Sequence, residues 1–249
     1  MKNLIGNRWV SSSSGSTIDI INPYNNSVID IVPNSVRDDL DKAIIEVKKV
    51  KEDWENKEKY FRVNILKNYL NLLIENEREL VTSLILESGK REVEAKFELQ
   101  KLRIIIEMLI NKDFESSNSI KKSGLNNFET YDKLIVKKPI GIVAVILPSS
   151  MQIELFAHTV IENILVGNSI ILKPSELYSI TITKLSYLLI KAGIPTGILQ
   201  VINGDRTIVR EIATNKNIDM FIQIASTQVI NEIKVSTTIR NTILGSSIN

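Results

Sequence analysis

After Pro139 the chain runs Ile140-Gly141-Ile142-Val143-Ala144-Val145-Ile146-Leu147 without one polar side chain, and no other feature limits its fold as much. The run is far below the roughly 18 to 20 apolar residues of a membrane helix. Its β-branched content marks a strand, and strands apolar on both faces belong to parallel sheets covered by helices on either side. The residues beyond it alternate in period. They predict helix over 152–166, strand over 169–172, helix over 180–191, strand over 198–202, helix over 207–214, strand over 218–222, helix over 227–235 and strand over 242–244. This βαβαβ series specifies an α/β fold with a doubly wound, mostly parallel sheet. Such sheets bind ligands outside the carboxyl ends of their strands, so the informative residues should follow Leu147, Leu172, Ile202 and Ile222.

The first 34 residues speak of hairpins, with turn chemistry at Ser11 to Gly15, Asn22-Pro23, Asn25-Asn26 and Pro33-Asn34 around short alternating runs. Helical spacing takes over at Ser35. Ala43, Ile44, Val47 and Val50 predict an amphipathic helix, capped near Ser35, that ends near Trp54. A second helix carries Phe61, Ile65, Leu66, Tyr69, Leu70 and Leu73, and a third runs from Glu77 to Ser88, stopped by Gly89. A fourth, over 91–110, has its apolar stripe in Phe97, Ile104, Ile105 and Leu109. Together these form a helical layer ahead of the sheet, and Trp9 and Trp54 read as packing residues.

Composition narrows the chemistry. With 31 basic against 29 acidic residues, the chain has no electrostatic footprint for nucleic acid or an anionic membrane. Zero Cys excludes disulfides, thiolate metal ligands and a cysteine nucleophile, and a single histidine, His158, leaves no natural transition-metal set. His158 falls on the polar face of its helix and reads as a surface residue. The opening Met1-Lys2-Asn3-Leu4-Ile5-Gly6-Asn7 lacks the apolar core of a signal peptide, and the expected location is cytoplasmic.

At the strand ends, Lys173-Pro174-Ser175-Glu176 follows Leu172. A Lys and a Glu beside a turn are ordinarily solvated surface. At the tip of a buried parallel strand they also suit a ribose edge: the carboxylate accepts from the 2′ and 3′ hydroxyls, the ammonium donates, and the negative charge favours NAD over NADP. Asn203-Gly204-Asp205 follows Ile202, and Ser226 stands where a helix opens after Ile222. Ser226 is either an N-cap or a pyrophosphate contact. No G-x-G-x-x-G is present.

Several segments, taken in order, carry a resemblance: Gly6-Asn7-Arg8-Trp9-Val10, Ile21-Asn22-Pro23, Leu86-Glu87-Ser88-Gly89-Lys90, Lys138-Pro139-Ile140-Gly141, Gly167-Asn168 through Lys173-Pro174-Ser175-Glu176, and Ala192-Gly193-Ile194-Pro195-Thr196-Gly197. The chain is similar over nearly its whole length to the N-terminal, cofactor-binding part of the aldehyde dehydrogenase superfamily. That resemblance implies one Rossmann-like NAD(P)-binding domain over 1–249, without the catalytic domain, and a protruding β-hairpin arm for oligomerisation that includes 124–138. It implies that Lys173 and Glu176 hold the adenosine ribose, that Ser226 lies on the pyrophosphate side, and that Pro148 and Gly204 belong to the cofactor site. It implies no metal.

The family oxidises aldehydes with a Cys nucleophile, an Asn whose amide stabilises the oxyanion, and a Glu general base, passing hydride to NAD(P). This chain has no Cys. The family's Pro-Trp-Asn-Phe-Pro stretch corresponds to Pro148-Ser149-Ser150-Met151-Gln152, so Ser150 stands for the Asn, and Ile243 stands for the Glu. Phe-Thr-Gly-Ser becomes Gln223-Ile224-Ala225-Ser226, and a later glycine becomes Ile230. Three readings follow: an NAD-linked homologue, inactive as this chain alone; the cofactor-binding half of a split enzyme completed by a second chain; or a non-catalytic interaction protein or remnant. The partner would be a catalytic-domain chain or a second copy of this one.

Overall fold

The structure, a computed structural model, describes residues 1–111, 121–123, 131–133, 138–225, 227–237, 239 and 241–246. In chain order its elements are β1 (Asn3–Ile5), β2 (Arg8–Val10), β3 (Thr17–Ile21), β4 (Val28–Pro33), α1 (Arg37–Lys48), α2 (Lys51–Glu55), α3 (Lys59–Glu75), α4 (Glu77–Ser88), α5 (Glu92–Asn111), β5 (Lys121–Ser123) and β6 (Tyr131–Lys133). There follow β7 (Ile142–Ile146), α6 (Gln152–Phe156), a π turn (Ala157–Ile161), α7 (Glu162–Val166), β8 (Ser169–Lys173), α8 (Ser179–Lys191), β9 (Leu199–Val201), α9 (Arg206–Ala213), β10 (Met220–Ala225), α10 (Thr227–Ser236) and β11 (Asn241–Ser246).

The large sheet has the order β11-β10-β7-β8-β9-β1-β2. Its β11-β10-β7-β8-β9 part is parallel, and β1 and β2 extend it antiparallel beyond β9. Gly6 and Asn7, at φ 57 and 58, close the β1–β2 hairpin as a two-residue primed turn. The early hairpin chemistry thus yields two products, an added sheet edge and a separate β3–β4 ribbon. Among the described residues, β5 and β6 pair only with each other. Of the expected arm, 124–130 and 134–137 lie outside the described residues.

Alternation along β7 divides the core. Val143, Val145 and Leu147 join α3, α4, α5, the 152–166 helix and α8 on one face. Ile142, Ala144 and Ile146 join α1 and α9 on the other. The sheet is therefore doubly wound, as its apolar strands require.

Several details of the helical layer differ from expectation. The first helix is broken at Lys49 and Val50, so Trp54 lies on the separate α2. Its N-cap is Val36, not Ser35: Asp39 turns back to accept from the Val36 amide at 3.0 Å and from Ser12 and Ser13, which ties the first loop to the helix. Buried carboxylates normally titrate high, but these bonds outweigh burial and hold Asp39 below its ordinary range. In α5, Phe97 and Ile104 are exposed, and the buried stripe is Ala95, Leu99, Leu102, Ile105, Ile106 and Leu109. The helix has two apolar stripes, and periodicity alone does not say which one meets the core.

Two polar contacts fasten the layers. Trp54, 1% exposed, donates from Nε1 to the Asn168 carbonyl at 3.1 Å, while the Asn168 side chain accepts from the Ile140 and Gly141 amides ahead of β7. Trp54→Phe is expected to cost about 1–3 kcal/mol in urea unfolding, because a buried carbonyl loses its partner.

Glu87 is the second fastener, 2% exposed at the end of α4. It accepts from the Ile180 amide at 2.5 Å, the Thr181 amide at 2.8 Å and the Thr181 hydroxyl. Burial outweighs these bonds and the nearby Lys184, and pushes its carboxyl up to about 7 from 4.5. A folded pKa above the unfolded one means that stability is full below pH 4.5 and is lost as pH rises through 7. Between pH 5 and 8 the chain should lose about 2 kcal/mol. Urea midpoints across that window should fall for the natural chain and stay level for Glu87→Gln.

Candidate functional site at the sheet's switch point

The chain builds β7, β8 and β9 outward in one direction, then returns to place β10 and β11 on the other side of β7. The carboxyl ends of β7 and β10 therefore meet at a topological switch point, where doubly wound sheets open a crevice. Gln223 of β10 pairs with Ile146 of β7, which pairs with Lys173 of β8. Parallel partners in register share a face, so these three side chains form a row across the sheet. At about 4.8 Å per strand, Gln223 and Lys173 are about 10 Å apart.

Lys173 is 3% exposed, and its ammonium reaches Glu176 Oε2 at 2.8 Å. The whole side chain is buried at the strand end, and Glu176 is the partner its ammonium meets there. Burial acts to raise the Glu176 carboxyl, but Lys173 and, more weakly, Arg206 hold it below the ordinary range. At neutral pH Glu176 is thus an ionised acceptor, and the Lys173 ammonium has donors beyond the one given to Glu176. The structure brings together the pair singled out in the sequence. Gln223, which the residues alone did not single out, is 5% exposed, and its Oε1 has no hydrogen-bond partner among the described residues. A buried amide at the end of an otherwise apolar strand is the signal that could have found it.

Gly204 sits in the turn between β9 and α9 at φ 155. A Cβ there would stand 2.9 Å from Ile208 Cγ2 and 3.2 Å from the Ser35 amide nitrogen. The close approach that needs glycine is made by this chain's own residues 34–35. The Ser35 amide donates to the Asn203 carbonyl at 3.1 Å, and Asn34 bonds Asp205, which caps α9 through the Thr207 amide.

On the loop after β7, Pro148 is half-buried, and Ser149 and Ser150 are exposed. Met151 follows in the left-handed region at φ 53 and opens α6. Ala225 ends β10, Ser226 lies outside the described residues, and Ile230 is 6% exposed. Ile243 occupies β11 opposite Ile222.

A groove of about 620 Å³ runs between α5 and the 152–166 helix, lined by residues that include Lys101, Ile105, Met108, Glu154 and His158. Lys101 bridges it to Glu154 at 2.5 Å. His158 is exposed, as expected, but stands on the π turn that faces this groove. π turns often mark functional segments of helices. Nothing in the residue pattern predicts one.

With this geometry established, comparison with known proteins decides the family. A model of the aldehyde dehydrogenase family matches residues 9–244. The chain belongs to the aldehyde dehydrogenase family. This aldehyde dehydrogenase homologue is 31% identical over 221 residues to malonate-semialdehyde dehydrogenase 1 of Geobacillus kaustophilus, covering 88% of the chain but 44% of that relative. It is 32% identical, with the same coverage, to malonate-semialdehyde dehydrogenase 1 of Bacillus thuringiensis. Betaine aldehyde dehydrogenase from Staphylococcus aureus, solved with NAD+, superposes with a TM-score of 0.90 at 21% identity over 100% of this chain and 50% of its own. NADP-dependent glyceraldehyde-3-phosphate dehydrogenase from Bacillus halodurans, solved with NADP, gives 0.90 at 23% identity, over 98% of this chain and 52% of its own. The homologue thus spans about half the length of these relatives, and its fold is that of their matching halves. Among the described residues, no helix is long and apolar enough to cross a membrane, and no group of three or more His, Asp or Glu could hold a metal ion.

Proposed function

We propose that this chain is an NAD-binding member of its family that does not oxidise aldehydes alone. The observation that carries the reading is the Lys173–Glu176 pair, a buried cation and an ionised carboxylate 2.8 Å apart beside the switch point of a doubly wound sheet. Glu176 accepts from the ribose hydroxyls, and Lys173 donates to the same edge. Gln223, in the same row, offers the nucleotide's donors an amide oxygen that has no partner among the described residues. NAD, when bound, supplies a hydride acceptor. The solved relatives hold NAD+ or NADP, which supports a dinucleotide as ligand; the Glu176 charge disfavours a 2′-phosphate.

The inactivity follows from chemistry. Without a thiol no thiohemiacetal forms, Ser150 offers one hydroxyl in place of an amide, and Ile243 accepts no proton. Calorimetric titration should show saturable NAD binding, weaker NADP binding, and a loss of affinity in Glu176→Ala. Incubation with NAD and aldehydes should yield no NADH. A folded chain that binds neither nucleotide, or one that turns over an aldehyde, overturns the reading.

A second reading rests on α5. Val93, Phe97 and Met108 are each about two-thirds exposed, and Ile104 about half, a run of apolar surface beside the groove. It favours a partner chain that carries the missing catalytic residues. Co-expression with a chain encoding the family's C-terminal half should yield a stable complex, and Phe97→Asp should break it.

A further inference from the structure

We propose that Glu87 is a positioning residue for the nucleotide's ribose site, a clasp that holds the Glu176 loop in its binding shape. The inference rests on the nucleotide reading above. The loop, residues 174–178, spans the gap between Lys173, fixed in the sheet, and Ser179, the first residue of α8. Within it, the Tyr178 amide donates to the Ser175 carbonyl and the Leu177 amide to Ser175 Oγ, each at 3.3 Å. Neither bond ties the loop to another element, so its shape depends on its two ends.

The body of α8 is fixed by Ile182, Leu185 and Leu189 in the core. Its first turn is held by the packing of Ile180 on Ile20 and Val32 of the β3–β4 ribbon and by one carboxylate. The opening N–H groups of a helix have no partner within it, and here Glu87, which stands on α4, takes those of Ile180 and Thr181. A residue 93 positions away thus sets where the loop ends. Remove it, and the two amides lose their partner, so that only the packing of Ile180 still holds the first turn while the core keeps the rest of α8. Glu176 then loses its fixed place beside Lys173.

Glu87 also gives the clasp a chemical handle. Lys184 of α8 is the charged group that acts on it; the Lys184 ammonium is itself held by Ser83 at 2.7 Å and Glu79 at 2.8 Å, both on α4. Further along, Arg103 of α5 pairs with Glu77, and Lys90 with Glu98. A neutral carboxyl accepts an amide N–H through its carbonyl oxygen and donates to the Thr181 hydroxyl, whereas the anion must be held away from water. Opening the clasp hydrates the carboxylate. By linkage the clasp is therefore firmest while Glu87 is protonated and loosens as pH rises above 7.

The test is calorimetric titration of the full chain with NAD from pH 6 to 8.5, for the natural chain, Glu87→Gln, Glu87→Ala and Thr181→Val. Glutamine is uncharged at every pH; its oxygen accepts from one of the two amides and its NH2 donates to the Thr181 hydroxyl, but it does not accept from the second amide. The natural chain should lose affinity threefold or more across this range, Glu87→Gln should bind with no pH slope and more tightly than Glu87→Ala, and Glu87→Ala should bind at least fivefold more weakly than the natural chain at pH 6 throughout. His158→Gln, which removes the chain's one imidazole, should keep the natural slope. Should Glu87→Ala fail to fold, Thr181→Val carries the test, with intermediate weakening. Amide exchange, corrected for its intrinsic pH dependence, supplies a readout without ligand: protection at Ile180 and Thr181 should fall in Glu87→Ala and, with rising pH, in the natural chain but not in Glu87→Gln. NAD affinity that is equal in the natural chain and both Glu87 variants, in a protein where Glu176→Ala abolishes binding, overturns the clasp alone. No binding by the folded natural chain at any pH overturns the nucleotide reading and the clasp with it.

Discussion

Lys173→Met is expected to weaken NAD binding thirtyfold or more while leaving the fold nearly as stable as before. Methionine replaces the stem of a side chain that is 3% exposed, so the packing at the end of β8 is retained. The charge is what disappears. A hydrogen bond to a charged group is worth about 1.5–3 kcal/mol, roughly ten- to 150-fold in a dissociation constant. A second loss adds to it: Glu176 no longer has the ammonium 2.8 Å away that fixes its rotamer, and a mobile carboxylate must be ordered when the ribose arrives. The Glu176 side chain is 40% exposed, so water takes over its solvation and the fold loses little. Titration gives the affinity and urea unfolding the stability. A variant that binds NAD like the natural chain would remove Lys173 from the site.

Gly197→Ala is expected to cost about 3 kcal/mol or more, a large part of the 5–15 kcal/mol that holds a domain together. Gly197 sits between α8 and β9 at φ 98, where an L side chain is strained by about 1–2 kcal/mol. The larger penalty is spatial. A Cβ would stand 2.6 Å from the Glu46 carbonyl oxygen and 2.8 Å from Val50 Cγ2. The oxygen belongs to α1 backbone and cannot swing aside, so the helix and the turn must separate, adding about 1–3 kcal/mol of overpacking. Gly15→Ala is the control. Gly15 has φ 72 with nothing within 4 Å of the added carbon, so it bears the strain without the collision. Urea unfolding should separate the two by about 2 kcal/mol; equal losses would show that backbone conformation alone decides.

The order of strands and helices from residue 140 onward was readable because each element buries a face with a fixed period. The run through Leu147 needs helices on both sides, and Val143 and Ala144 do face opposite layers. Lys173 and Glu176 were legible because strand ends are where such sheets present chemistry. Other features depend on contacts between distant residues, which no local period encodes. The capture of β1 by β9, the turn of Asp39 onto Val36, and the choice of which α5 stripe meets the core are of this kind. Gln223 was hidden for another reason: a single polar residue in a strand looks like a flaw in the pattern until the register shows Ile146 and Lys173 beside it.

The seating of β1 bears on how the chain assembles as it is synthesised. Leu4 pairs with Val201, and the Asn3 side chain accepts from the Asn203 amide at 2.8 Å across 200 residues of sequence. The ribosome therefore releases the first strand long before its neighbour exists. Until residue 203 has emerged, Leu4 and Ile5, both buried in the finished fold, must wait in water or in the hold of a chaperone. Contacts this far apart in sequence are slow to close. Residues 3–5 are thus among the last to find their place, and a bulky group fused close to Asn3 would act on that final step.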